Sequence, residues 1–168
     1  MAFNYTDDTF VSFAVYADVV QRDARLFESN EGLTESEVNA LLVKSSERIL
    51  SKIRASDWWR QYTLSRDSSL NNDVRKVPVV DPDKIDYRHQ EFIDLNVYHT
   101  LAEYILPTVA DFGNETSAEV VKIAFYRDQY NNQLKDILEA GVWYDFDGDA
   151  TIEVEEKQPT RVNLVRVR

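Results

Sequence analysis

Thr34-Glu-Ser-Glu-Val-Asn-Ala-Leu-Leu-Val-Lys-Ser-Ser-Glu-Arg-Ile-Leu-Ser-Lys-Ile-Arg54 is the stretch that decides how the chain folds. It opens as a capping box. The Thr34 hydroxyl accepts the Glu37 amide N–H while the Glu37 carboxylate reaches back to the Thr34 amide, satisfying two donors that a helix start leaves orphaned. Val38, Leu41, Leu42, Ser45, Ile49 and Ile53 then recur at steps of three and four, which lines one face of a helix ending near Arg54.

Working outward from this helix, the same periodicity recurs on both sides. Upstream, Val19, Val20, Ala24, Leu26 and Phe27 sit among charged residues as a short amphipathic helix, followed by a turn at Asn30, Glu31 and Gly32. Downstream, Asp57-Trp58-Trp59 starts another helical turn. Adjacent helical side chains point about 100° apart, so at least one tryptophan seals the edge of the core. Residues 65–83 are polar, then punctuated by Pro78 and Pro82, with no helical period; this is the long central loop. Asp83 or Asp86 caps a helix through Arg88, Phe92, Leu95, Val97, Leu101, Tyr104 and Ile105, which Pro107 stops. Ser117 or Asn114 caps a last long helix through Val120, Ile123, Ala124, Tyr130, Leu134, Ile137 and Leu138, with Gly141 placed as its C′ residue. The expected fold is mainly α: a bundle of four or five helices with a long central loop and an extended C-terminal tail or short β-hairpin. Its organisation is a helical domain over 1–141 and, over 142–168, an acidic turn with a basic tail.

Composition narrows the function classes. The 168 residues carry a net charge of -11 and 43% hydrophobic side chains, enough for one core. With no cysteine, a disulfide framework, zinc ribbon, thiol nucleophile and iron–sulfur cluster are excluded. The longest apolar run, 13–17, is far short of the roughly 20 residues of a membrane helix, and no signal peptide is read. The negative balance opposes general binding to phosphate backbones. The charge is also segregated. Asp136, Glu139, Asp145, Asp147, Asp149, Glu153, Glu155 and Glu156 come with no basic residue among them, whereas Lys157, Arg161, Arg166 and Arg168 follow with no acid.

Within the acidic block, residues 145–156 align with the EF-hand calcium loop. Asp145, Asp147 and Asp149 stand at its first, third and fifth positions, the Thr151 carbonyl at the seventh and Glu156 at the twelfth. That spacing gathers oxygens for a hard cation needing six to eight of them. Ala150 replaces the glycine of the sixth position and Pro159 stands where an exiting helix would run, so the match is half an EF-hand. A structural calcium is the one cofactor this loop admits; none is otherwise required. The bland alternative is an acidic turn, since Asp and Gly favour turns anyway.

No enzyme signature is found. His89 and His99 lie ten residues apart on one helix, about 15 Å, and cannot share a metal. There is no nucleophile elbow and no glycine-rich phosphate loop. In the tail, Arg161, Val162, Leu164, Val165, Arg166, Val167 and Arg168 combine β-branched residues with arginines, the pattern of an extended strand that must pair with a partner or with its own chain.

This order of elements resembles the head–tail connector (adaptor, or head-completion) proteins of tailed bacteriophages. The residues that carry the resemblance are Tyr16-Ala-Asp-Val-Val20, Leu33-Thr-Glu with its capped helix, Ser46-Glu-Arg-Ile-Leu50, Arg88-His-Gln-Glu-Phe-Ile-Asp-Leu95, Leu106–Pro107, and Trp143-Tyr-Asp-Phe-Asp147 with the arginine-rich end. The resemblance implies a structural virion protein at the neck, made in the host cytoplasm and assembled as a dodecameric ring beneath the portal. Its partners would be the portal protein, copies of itself and a tail-side neck or tail protein, with no membrane. DNA would pass through the ring without specific binding, as an acidic lining favours. The segment from Arg161 to Arg168 becomes the docking tail, and Arg75, Lys76, Val77 and Val79 of the central loop become neighbour contacts. A rival of a different class is a calcium-responsive protein-binding module built on the 145–156 loop.

Overall fold

A computed structural model describes residues 3–29, 32–71, 73–86, 88–113, 117–141, 143–149 and 151–152 of the chain. They form a mainly α fold. The chain opens with an antiparallel hairpin, β1 (Asn4–Thr6) and β2 (Thr9–Ser12), with Tyr5 opposite Phe10 and Thr6 opposite Thr9. Asp7 and Asp8 between the strands have φ of 50° and 59°. A two-residue turn with both φ positive matches the right-handed twist of its strands, and aspartate tolerates that region better than most residues. The sequence pattern places β structure only at the C-terminus, so this N-terminal hairpin adds to what is expected. Phe3, Phe10 and Phe13 tie the hairpin to Phe92, with ring centroids of Phe13 and Phe92 5.3 Å apart.

Helices α1 (Tyr16–Arg22) and α2 (Ala24–Ser29) take the place of the single amphipathic helix expected there. The break is Asp23, at φ −142° and ψ 66°, whose carboxylate accepts the Lys122 ammonium at 2.7 Å. Helix α3 (Glu35–Ala55) begins with the capping box read from the sequence: Thr34 N–H donates to Glu37 Oε2 at 3.2 Å and Glu37 N–H to Thr34 Oγ1 at 3.4 Å. Val38, Leu42, Ser45, Ile49 and Ile53 are buried and Leu41 is half-buried, so the stripe is core. Each such aliphatic side chain contributes about 1.5–3 kcal/mol by leaving water. Helix α4 (Asp57–Arg66) is capped by Ser56, whose hydroxyl accepts Trp59 N–H. Trp59 is the fully buried tryptophan of the pair, and Trp58 is half-buried.

The central loop is built from single 3-10 turns, Ser68–Leu70, Val74–Lys76 and Pro82–Lys84. Asp67, Asp73 and Asp81 begin them, each accepting the amide two residues on. Helix α5 (His89–Thr100) is entered through Arg88 in the left-handed region, not through a cap at Asp83 or Asp86. It does not stop at Pro107. A π-helical turn, Leu101–Ile105, carries it into α6 (Leu106–Val109), with Leu106 N–H donating to the Leu101 carbonyl. Proline lacks an N–H and its ring presses on the carbonyl four residues back, here Glu103; the widened turn relieves that clash.

Helix α7 (Ala118–Ala140) is capped by Ser117 and closed by Gly141 at φ 61°, as its sequence implies. Beyond it the chain returns beside residues 84–86. Asp86 N–H donates to the Trp143 carbonyl at 3.0 Å and Asp145 N–H to the Lys84 carbonyl at 2.8 Å. Trp143 is fully buried, with its indole N–H on the Ile137 carbonyl at 3.0 Å, so residues 143–145 are part of the same core as α3 and α5. Among the described residues no helix is long and apolar enough to cross a membrane.

Candidate functional site

The chain that leaves α7 forms the most distinctive polar feature of the surface. Oxygens of Asp145, Asp147 and Asp149 lie within 4.8 Å of one another, with Asp145 buried and the other two exposed. Asp145 Oδ1 accepts Gly148 N–H at 2.7 Å, Asp147 Oδ1 accepts Asp149 N–H at 3.2 Å, and Asp149 Oδ1 accepts Thr151 N–H at 2.9 Å and its hydroxyl at 2.6 Å. Gly148 adopts φ 81°, a conformation that disfavours any other residue there. The first, third and fifth positions of the loop thus converge. The Thr151 amide and hydroxyl are both bound to Asp149. Glu156 lies outside the described residues, as does Ala150.

The turn is fixed to the domain from two sides. Phe146 stacks on Tyr62 with ring centroids 3.8 Å apart and on Trp59 at 5.6 Å, while Arg66 lies 4.7 Å over the Tyr62 ring. The Lys84 ammonium donates to the Phe146 carbonyl at 2.9 Å. Asp81, Asp83 and Asp86 line the adjoining cleft together with His89, Asp145 and Gly148. Asp81, Asp83 and Asp86 read from sequence alone as loop and cap; their acidic run, Asp81-Pro-Asp-Lys-Ile-Asp86, is the local feature that the fold turns into a second acidic wall. Burial pushes the Tyr144 hydroxyl up to about 12 although it accepts the Asp81 amide, and burial with the neighbouring Asp83 carboxylate does the same for Tyr5. Chemically, the turn offers carboxylate oxygens to a hard cation, with Lys84 partly offsetting their charge.

The remaining candidates are placed as follows. Arg75, Lys76 and Val79 are exposed on the central loop, but Val77 is not: its side chain fills the core, which removes it from any neighbour contact made by the other three. The tail residues Arg161, Val162, Leu164, Val165, Arg166, Val167 and Arg168 lie outside the described residues. His99 is buried, its Nδ1 2.9 Å from Ser45 Oγ, and its ring packs on Tyr130 with centroids 4.8 Å apart. Burial, with the Lys52 ammonium nearby, pushes His99 down to about 4. Ser45 is equally sealed, so this serine–histidine contact is part of an internal network with Asn96, Ser46 and Thr100 and is closed to a substrate. His89 rests against Phe3 at 4.8 Å between centroids. No protein-family model, no curated protein and no solved structure matches the chain.

Proposed function

We propose that the chain is a head–tail connector subunit of a tailed bacteriophage: a structural virion protein that forms a ring beneath the portal and links capsid to tail around the DNA channel. The observation that carries this reading is the anchored exit of the C-terminal segment. Trp143, Tyr144 and Phe146 lock the chain onto α4, α5 and residues 84–86. The basic, β-branched segment 160–168 follows this anchored stretch in the sequence. An extended basic and β-branched segment suits strand addition onto a partner. The net charge of -11 supports the same reading, because an acidic surface lets DNA pass where a basic one would hold it. In this account the protein catalyses nothing, its partners are the portal, copies of itself and a tail-side component, and it resides at the virion neck.

Deleting residues 160–168 tests the reading. The truncated chain is expected to keep its helical circular dichroism and melting temperature and to lose sedimentation with portal-bearing heads of the phage that encodes it. A truncated chain that still docks would refute the tail assignment.

The convergence of Asp145, Asp147 and Asp149 favours a second reading, a calcium-responsive binding module. Calcium titration followed by native mass spectrometry separates the two. A ring-forming or head-binding chain that is indifferent to chelator fits the connector; partner binding switched by calcium, in a chain that never forms a ring, fits the module.

A further inference from the structure

Two surfaces of the domain expose apolar side chains that an isolated domain has no use for. The first is a groove between α6 and the start of α7, about 510 Å³, lined by Pro107, Phe112, Val120, Ile123 and Ala124 beside the Glu103–Arg127 ion pair. Phe112 is 64% exposed at its lip. Val121 and Phe125, 60% and 54% exposed, extend the apolar surface along the outer side of α7, spaced one turn apart. Of the charges beside these side chains, Lys122 is held by Asp23 and Arg127 by Glu103, whereas Asp111, before Phe112, and Asp128, one turn after Phe125, add negative charge.

The second surface is the middle of the central loop. Val74 and Val79 are 50% and 55% exposed, with exposed Pro78, Lys76 and Arg75 beside them, Arg75 Nε lying 3.7 Å from Asp73. The backbone here is held in place. Arg54 Nε donates to the Val77 carbonyl at 3.0 Å, the Trp59 indole N–H to the Pro78 carbonyl at 2.9 Å, and Val77 and Val80 are sunk in the core. The loop is a preorganised apolar knob edged by Arg75 and Lys76, and the groove is an apolar socket edged by Asp111 and Asp128.

The two surfaces lie at different ends of the bundle. Lys44, Ser45 and Ser46 on α3 meet Tyr104, His99 and Asn96 in descending order, so α3 runs antiparallel to the α5–α6 helix. The knob is fastened at the C-terminal end of α3, and the socket lies at the C-terminal end of α5–α6, the opposite end of the bundle.

We propose that these surfaces are the two halves of one interface between copies of this chain, a deepening that rests on the ring reading above. The knob of one copy seats Val74, Pro78 and Val79 in the α6–α7 socket of the next, with Arg75 and Lys76 directed to Asp111 and Asp128. An apolar centre with a polar, charge-matched rim is the usual composition of a stable interface. Repeated head to tail, the contact leaves a free knob and a free socket at each step, and a rotation that closes makes the ring of the reading above.

The absence of native cysteine makes the test clean. Val79→Cys and Phe125→Cys proteins are prepared separately and oxidised alone and mixed. The mixture is expected to give a disulfide dimer containing one of each, with little dimer in either protein alone. No dimer in the mixture, or equal dimer in either protein alone, overturns the proposal. Sedimentation velocity supplies the second arm. Lys76→Glu and Asp128→Lys are each expected to weaken self-association at least tenfold, and the double variant to recover most of it. Singles that associate like the wild type overturn this interface and leave the connector reading standing, whereas loss of head docking by the wild type would strike that reading and not this one.

Discussion

Acidification from pH 7 to pH 5 is expected to destabilise the domain through a single buried side chain. His99 is held neutral by burial among Ser45, Tyr104 and Tyr130, with Lys52, Arg48 and Glu103 as the nearest charges. Its pKa stands at about 4 in the fold against 6.5 for the free side chain. Because the folded value is the lower one, the unfolded chain binds more protons between the two, so stability is fully present above pH 6.5 and is lost as the pH falls towards 4. The full difference corresponds to about 3 kcal/mol, of which about 2 kcal/mol is gone by pH 5. Urea titrations followed by tryptophan fluorescence at pH 7.5, 6 and 5 read this directly, since Trp59 and Trp143 lie in the core. His99→Gln removes the titrating group; that variant starts less stable at pH 7.5 and shows a flat profile down to pH 5. A wild-type stability unchanged between pH 7.5 and 5, or a slope that survives in His99→Gln, would refute the assignment.

Three other outcomes follow from the packing and the acidic turn. Leu42→Asp places an unpaired carboxylate on the fully buried face of α3 and is expected to cost at least about 4 kcal/mol, leaving the chain without a cooperative melt by circular dichroism; near-wild-type melting would remove α3 from the core. Phe146→Ala deletes the ring stacked on Tyr62 and Trp59 and is expected to lower stability by about 1–3 kcal/mol in urea titrations; a smaller change would mean the turn is not anchored there. Asp145→Ala combined with Asp147→Ala is expected to lower the melting temperature further with calcium present than with chelator, and equal losses would make the segment an acidic turn and nothing more.

The helices were legible because their signals are local. The Thr34–Glu37 box, Ser117, Gly141 and the α3 stripe each specify their own few residues, and all four do in the fold what their chemistry implies. Three features were hidden, each for its own reason. The ion pair from Lys122 reaches across 99 residues to Asp23 and is matched by a break between α1 and α2 that periodicity did not show. Pro107 reads as a stop, yet the helix continues because a π turn absorbs the ring. The hairpin at residues 4–12 had a local signal, β-branched and aromatic residues on both sides of Asp7-Asp8, but lacked the glycine that marks such turns most strongly. For the candidate site, the carboxylate spacing in 145–149 is a local pattern and its oxygens lie within 4.8 Å of one another, while the opposing wall at Asp81, Asp83, Lys84 and Asp86 depends on the antiparallel return of residues 143–145.

The central claim, a structural subunit of the phage neck, is tested most directly by counting. Under that claim a tailed phage encodes the chain; its purified particles are digested and the chain is quantified against the portal subunit by mass spectrometry with isotope-labelled peptides. The account predicts that the chain is a particle component with a copy number equal to that of the portal. Its absence from purified particles, or an abundance matching the capsid shell, would contradict it.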